Sequence, residues 1–179
     1  MELTYTIVES PLGYVLIARS ALGICWLGLG DDTAALEAEL LHDMPAAQLR
    51  RDDGALAAEA GAVAAYLAGD GPCAELPLDL RGTPFQLRVW AALRAIPYGE
   101  TRTYGQIAAS LGLGPSFARA VGSAGAANKV SLLVPCHRAV GSDGTLRGFR
   151  WQIERKRALL ELERRGKEAK ALQAAALGR

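Results

Sequence analysis

The chain has 179 residues, half of them hydrophobic, with 20 basic and 19 acidic side chains and a formal net charge of +1. That length allows one domain of ordinary size, or a small one joined to a medium one. No stretch approaches the roughly 18 uninterrupted apolar residues of a membrane helix, and Met1–Tyr5 lacks the basic-then-apolar start of a leader, so a soluble chain in the cytoplasm, away from membranes, is expected.

The first predicted elements are strands at Tyr5–Ile7 and Tyr14–Arg19, separated by Ser10-Pro11-Leu12-Gly13, and a third at Gly23–Leu29. Together they predict a small antiparallel sheet. Ala34–Leu41 and Ala55–Ala68 are rich in Ala, Leu and Glu, with apolar residues such as Leu56, Ala60, Val63 and Leu67 at helical spacing, so two helices should pack on it. Gly69-Asp70-Gly71-Pro72 ends the second helix, and Leu76–Arg81 reads as an extended connection. A domain boundary belongs there, dividing an acidic supporting unit (1–80) from a second unit (81–165) and an Ala-rich, basic tail (166–179). Charge follows the same division: residues 1–80 carry a net −10 and residues 81–179 a net +11. A basic half points to a polyanionic partner, although a solvated basic face would give the same count.

Thr83-Pro84-Phe85-Gln86 places a capping Thr, a first-turn Pro and a Gln three residues after the cap, which predicts a helix from 84 to about 95. Ile96–Glu100 is a turn. Thr103-Tyr104-Gly105-Gln106 repeats the capping box ahead of a short helix closed by Gly112, and Ser116 is placed to cap a third over Phe117–Ala127. Two short helices joined by a Gly-containing turn outline a helix-turn-helix. The last of these helices is built almost wholly of small residues, although Gly122 and Gly125 each cost about 1 kcal/mol of helix propensity relative to Ala. Smallness lets a backbone approach another surface, either a neighbouring helix or a nucleic-acid groove. Arg119 is the one long charged side chain on it.

The apolar run Val130–Val134 reads as a strand that ends on Pro135-Cys136-His137-Arg138. A thiol with an ordinary pKa of about 8.5 is little ionised near neutrality, so an adjacent imidazole and guanidinium mark Cys136 as a candidate nucleophile rather than a small buried residue. The three cysteines, Cys25, Cys73 and Cys136, are widely spaced and odd in number, which argues against a disulfide framework. With only His42 and His137 beside them no zinc spacing emerges, so neither a metal nor a cofactor is expected.

With these residues in place the chain resembles the O6-alkylguanine-DNA alkyltransferases. The resemblance runs from about Gly82 to Glu163 through Thr83-Pro84-Phe85-Gln86, Val89-Trp90, Pro97-Tyr98-Gly99, Thr103-Tyr104, Arg119-Ala120-Val121-Gly122, Asn128, Pro135-Cys136-His137-Arg138, Gly148-Phe149 and Lys156-Leu159-Leu160-Glu163. Residues 1–80 resemble the family's variable N-terminal domain more loosely. The resemblance implies an α+β protein, with a small N-terminal α/β domain and a mainly helical, winged-helix-like C-terminal domain carrying the helix-turn-helix. It implies repair of alkylated duplex DNA in a single irreversible turnover, in which Cys136 takes the alkyl group from O6-alkylguanine, with O4-alkylthymine left open as a second substrate. His137 would act as general base through a water, with Glu163 holding it. Tyr104 would crowd the target phosphate and assist the leaving base, and Arg119 would fill the stack after base flipping. Ala120, Gly122, Ser123 and Arg138 would meet DNA; Ala139, Phe149 and Arg150 would line the base pocket; Asn128 would brace the turn. No obligate protein partner is implied, and a monomer is expected.

Arg150-Trp151 departs from the small residues of some members, which predicts an indole that narrows the pocket against bulky alkyl groups. Two other readings stay open: a cysteine hydrolase built on Cys-His-Glu, and a protein that only binds alkylated DNA.

Overall fold

The computed structural model describes residues 1–177. Three consecutive strands, β1 (Glu2–Ser10), β2 (Gly13–Arg19) and β3 (Ile24–Gly30), pair antiparallel in sequence order. The turn between the first two is closed by Ser10, whose Oγ donates to the Gly13 carbonyl at 2.7 Å while Gly13 adopts a φ of 99° that other residues resist. A fourth strand, β4 (Gln48–Arg51), which the sequence reading missed, adds parallel to β1, so the sheet is mixed and ordered β3-β2-β1-β4. Its sequence, Gln-Leu-Arg-Arg, lacks strand composition, and it is held through pairing to β1 alone. Two helices pack on the sheet, α1 (Thr33–Asp43) and α2 (Ala57–Ala68). Val15 to Ala18 and Ile24 to Leu27 are almost wholly buried, and this double-sided burial makes them continuous apolar runs rather than alternating ones.

The second unit is helical: α3 (Pro84–Arg94), α4 (Tyr104–Ser110), α5 (Ala118–Ala126) and α6 (Ile153–Leu177). Both predicted capping boxes form, Thr83 with Gln86 and Thr103 with Gln106. Ser116 does not cap α5. It lies in a 3-10 turn, Pro115–Phe117, that runs directly into the helix and leaves no side-chain cap at its start. Trp90 on α3 sets the position of α5 by donating from Nε1 to the Ala124 carbonyl at 2.8 Å. Two-residue strands β5 (Arg102–Thr103) and β6 (Ala139–Val140) pair parallel beside α4. α6 passes residue 166 without a break, so the Ala-rich segment continues this helix as far as Leu177 and residues 178 and 179 lie outside the described residues. Among the described residues no helix is long and apolar enough to cross a membrane.

The two units meet along β3. Leu27 N–H donates to the Lys129 carbonyl at 2.8 Å and the Ser131 N–H returns to Leu27 at 3.1 Å. Next to this seam Trp26 and Trp151 stack edge to face with centroids 5.4 Å apart, and a Cβ on Gly28 would clash with both indoles. Around it the opposite charges of the two halves pair: Arg150 with Asp43 at 2.7 Å and Glu39 at 2.6 Å, and Arg155 with Asp31 at 2.5 Å.

Candidate active site and nucleic-acid interface

Cys136 is not at the tip of a strand. Only Val130 makes a bridge, to Leu27, after which residues 131–134 turn and Cys136–Arg138 form a 3-10 turn. The apolar run is buried on a turn because its polar groups are satisfied locally. Asn128 accepts from Val130 N–H at 2.9 Å and donates from Nδ2 to the Val134 carbonyl at 2.8 Å and to Cys136 Sγ at 3.4 Å. Leu132 sits at a φ of 70°, a conformation that costs a non-glycine residue about 1 kcal/mol and that the surrounding bonds impose. Asn128 thus bonds both ends of the turn and reaches the sulfur itself.

His137, next in the turn, is fully buried. Its Nε2 lies 2.9 Å from Glu163 Oε1 on α6. A carboxylate can only accept, so Nε2 carries the proton and Nδ1 presents its lone pair. Nδ1 is buried and has no hydrogen-bond partner among the described residues. Glu163 is the most heavily bonded side chain of the site. Oε1 also accepts from Tyr66 OH at 2.6 Å and from Arg138 Nη2 at 2.8 Å, while Oε2 accepts from Arg138 Nε at 2.9 Å and Gly99 N–H at 3.0 Å. Burial would raise the Glu163 carboxyl, but the hydrogen bonds of His137 and Arg138 reverse this and hold it far below the ordinary range. Burial pushes the His137 imidazole down, against the pull of Glu163, and pushes the Cys136 thiol up, against Asn128 and the nearby Lys156 charge. The resting pair is thus a neutral thiol and a neutral imidazole.

Arg138 corrects the sequence reading. Its guanidinium does not face DNA: it is buried, bonded to both oxygens of Glu163 through Nε and Nη2 and, at 2.6 Å, to the Ile96 carbonyl through Nη1.

Cys136 forms part of the wall of a cavity of about 690 Å³. Ala139, Phe149 and Arg150 line it, as do Tyr104, Arg119, Gly122 and Ser123. Ala120 is not among the lining residues. Arg119, exposed near the start of α5, stands at the rim. The Tyr104 hydroxyl donates to the Arg147 carbonyl at 2.9 Å. Lys156, buried on α6, donates to the same carbonyl at 2.9 Å and lies 3.5 Å from the Tyr104 oxygen, with burial lowering its ammonium to about 8. The cavity therefore combines a free thiol, the Tyr104 side chain and several small residues in its wall, with Lys156 bonded behind Tyr104.

Trp151 does not enter the cavity, contrary to the size-filter expectation. It is buried against Trp26 and donates to Ser131 Oγ at 2.7 Å. Arg150 does line the cavity, while its charge is directed to Asp43 and Glu39. The residue that sequence reasoning missed is Tyr66, which comes from α2 in the other unit. Nothing local to an Ala-rich helix shows that its one aromatic side chain will reach a carboxylate 97 positions away.

Two family descriptions match successive parts of the chain: "6-O-methylguanine DNA methyltransferase, ribonuclease-like domain" over residues 3–80 and "6-O-methylguanine DNA methyltransferase, DNA binding domain" over residues 84–165. The chain is 45% identical over 168 residues to the bifunctional transcriptional activator/DNA repair enzyme Ada of Escherichia coli, covering 94% of itself but 47% of Ada. It is 43% identical to a methylated-DNA--protein-cysteine methyltransferase of Mycobacterium tuberculosis, covering 89% of itself and 92% of that protein. The crystal structure of M. tuberculosis OGT in complex with DNA superposes with a TM-score of 0.78 at 38% identity, over 93% of this chain and 94% of that one. With both halves matched and a relative of nearly its own length, the chain belongs to the 6-O-methylguanine DNA methyltransferase family.

Proposed function

We propose that this protein repairs alkylated duplex DNA by moving an alkyl group, chiefly methyl, from the O6 atom of guanine to Cys136, once per molecule. The observation that carries the reading is a lone thiol in the wall of a cavity beside the helix-turn-helix, backed by a buried imidazole whose other nitrogen is committed to a carboxylate. A base inside a duplex cannot reach Cys136, so the nucleotide is flipped out at a cost of a few kcal/mol. Arg119, at the rim, fills the stack, and the small face of α5 admits the groove floor. The Cys136 proton passes through a water to His137 Nδ1, and the imidazolium is stabilised by Glu163. Sulfur then forms a bond to the alkyl carbon as the carbon–O6 bond breaks, and the bonding pair leaves on guanine, whose protonation is assisted by Tyr104 in the cavity wall. The product is a thioether with no easy reverse, so the protein is consumed.

Every group of the relay comes from one chain, which supports action as a monomer, and a free thiol suits a reducing compartment such as the cytoplasm. The test is to incubate the protein with methylated duplex, digest it and locate the added mass. One methylene on Cys136, in proportion to the protein present, is the expected result. Modification of Cys25 or Cys73, repeated turnover, or binding without modification overturns the reading.

A further inference from the structure

Tyr66 differs in origin from the rest of the relay. It belongs to the acidic unit, whereas Cys136, His137, Arg138 and Glu163 all belong to the basic one. Its ring is buried edge to face on Tyr98, with centroids 6.2 Å apart, and packing alone would be satisfied by phenylalanine. Its hydroxyl is instead aimed at the relay, 2.6 Å from Glu163 Oε1 and 3.3 Å from His137 Nε2. Burial and the Glu163 charge push the tyrosine far above its ordinary value, so it remains a donor at any working pH. Three donors, Tyr66, His137 and Arg138, converge on Oε1, whereas a carboxylate oxygen offers about two lone pairs. Each donor therefore draws acceptor strength from the others.

We propose that Tyr66 is a positioning residue for alkyl transfer: by sharing Glu163 Oε1 with the Nε2–H of His137, it limits how strongly the carboxylate stabilises the imidazolium and keeps Nδ1 as the free base. The inference rests on Cys136 and His137 being the reacting pair. It makes the acidic unit a contributor to the site rather than a support for it. The other titratable or charged groups facing Cys136, His137 and Glu163 are Arg138 in the same turn, Tyr98 after α3, Tyr104 on α4 and Lys156 on α6, and none of them changes in the test.

The experiment measures single-turnover alkylation of Cys136 against pH for wild type, for Tyr66→Phe and for a ring-fluorinated tyrosine at position 66, whose hydroxyl is a stronger donor. Nitrogen NMR of histidine-labelled protein accompanies it, since only His42 and His137 report. Tyr66→Phe frees Oε1, so the acid limb of the rate and the His137 titration should both move up by about one pH unit. The fluorinated residue should move both down, with DNA affinity unchanged in either variant. A packing role would leave both titrations in place in both proteins. If Tyr66→Phe fails to fold, the fluorinated protein, which keeps the hydroxyl, decides alone. Wild-type alkylation at Cys136 with both titrations unmoved overturns this inference by itself. Wild-type alkylation at another cysteine overturns the functional reading, and the inference with it.

Discussion

At the scale of single residues, Glu163 anchors buried charge, whatever its part in the proposed alkyl transfer. Replacing it by Gln leaves the buried Arg138 guanidinium without its counter-charge, so Glu163→Gln should cost on the order of 3 kcal/mol of stability as well as slowing alkylation, read as a lower denaturant midpoint beside the rate. An unchanged midpoint would mean that the pair is solvated in solution. The same pair sets a pH dependence whose sign is fixed by the direction of its shifts. His137 and Glu163 both hold protons less tightly folded than unfolded, so stability is full above the unfolded values and is lost as pH falls. The decline should begin below about 6.5, where an unfolded histidine charges, and steepen below about 4.5, where an unfolded carboxylate takes its proton. Urea midpoints from neutral to acid pH check this. Trp151→Gly should destabilise the protein by about 3–5 kcal/mol, as large-to-small changes in a core do, and leave the methyl-to-benzyl rate ratio unchanged. A narrowed ratio would put the indole back in the base pocket.

At the scale of elements, α5 shows why two glycines persist in one short helix. A Cβ on Gly125 would meet nothing within 4 Å, and one on Gly122 would make only ordinary contact with Tyr104 at 3.8 Å. Intramolecular packing therefore does not require them, and both line the cavity that holds Cys136. Gly125→Ala should raise stability by about 1 kcal/mol while weakening DNA binding; tighter or equal binding would refute the groove role. Arg119→Ala should slow repair of a well-stacked duplex more than that of a mismatched one, because an unpaired base leaves the stack more readily. Equal losses on both substrates would make Arg119 a general contact. Elements with local signals were legible in sequence: the Thr83 and Thr103 capping boxes are both formed, and His137 does meet Glu163. What sequence did not reveal depends on distant partners. β4 exists through β1, Arg138 turns inward because Glu163 lies across from it, Val130–Val134 turns instead of extending because Asn128 bonds both ends of it, and Tyr66 reaches the relay from another unit.

At the scale of the whole molecule, the division of charge along the chain has two outlets. Some of it is spent internally at the seam, where Arg150, Arg155 and Lys129 face Asp43, Glu39 and Asp31. Arg138 and Lys156 are buried, while Arg88, Arg94, Arg119 and Arg147 are exposed, so duplex binding should weaken steeply as salt rises, with little dependence on sequence, in filter or fluorescence titrations. A salt-independent affinity would contradict the polyanion reading. The seam also bears on solubility. β3 would otherwise be an open sheet edge, but residues 77–79 bond to it at Ile24 and residues 129–131 at Leu27, while the opposite edge, β4, is blunted by Arg50 and Arg51. An exposed, apolar edge strand is a template for self-association. The intact fold thus buries its own aggregation-prone border, and severing the chain ahead of residue 77 would uncover it and favour edge-to-edge clumping of the N-terminal fragment.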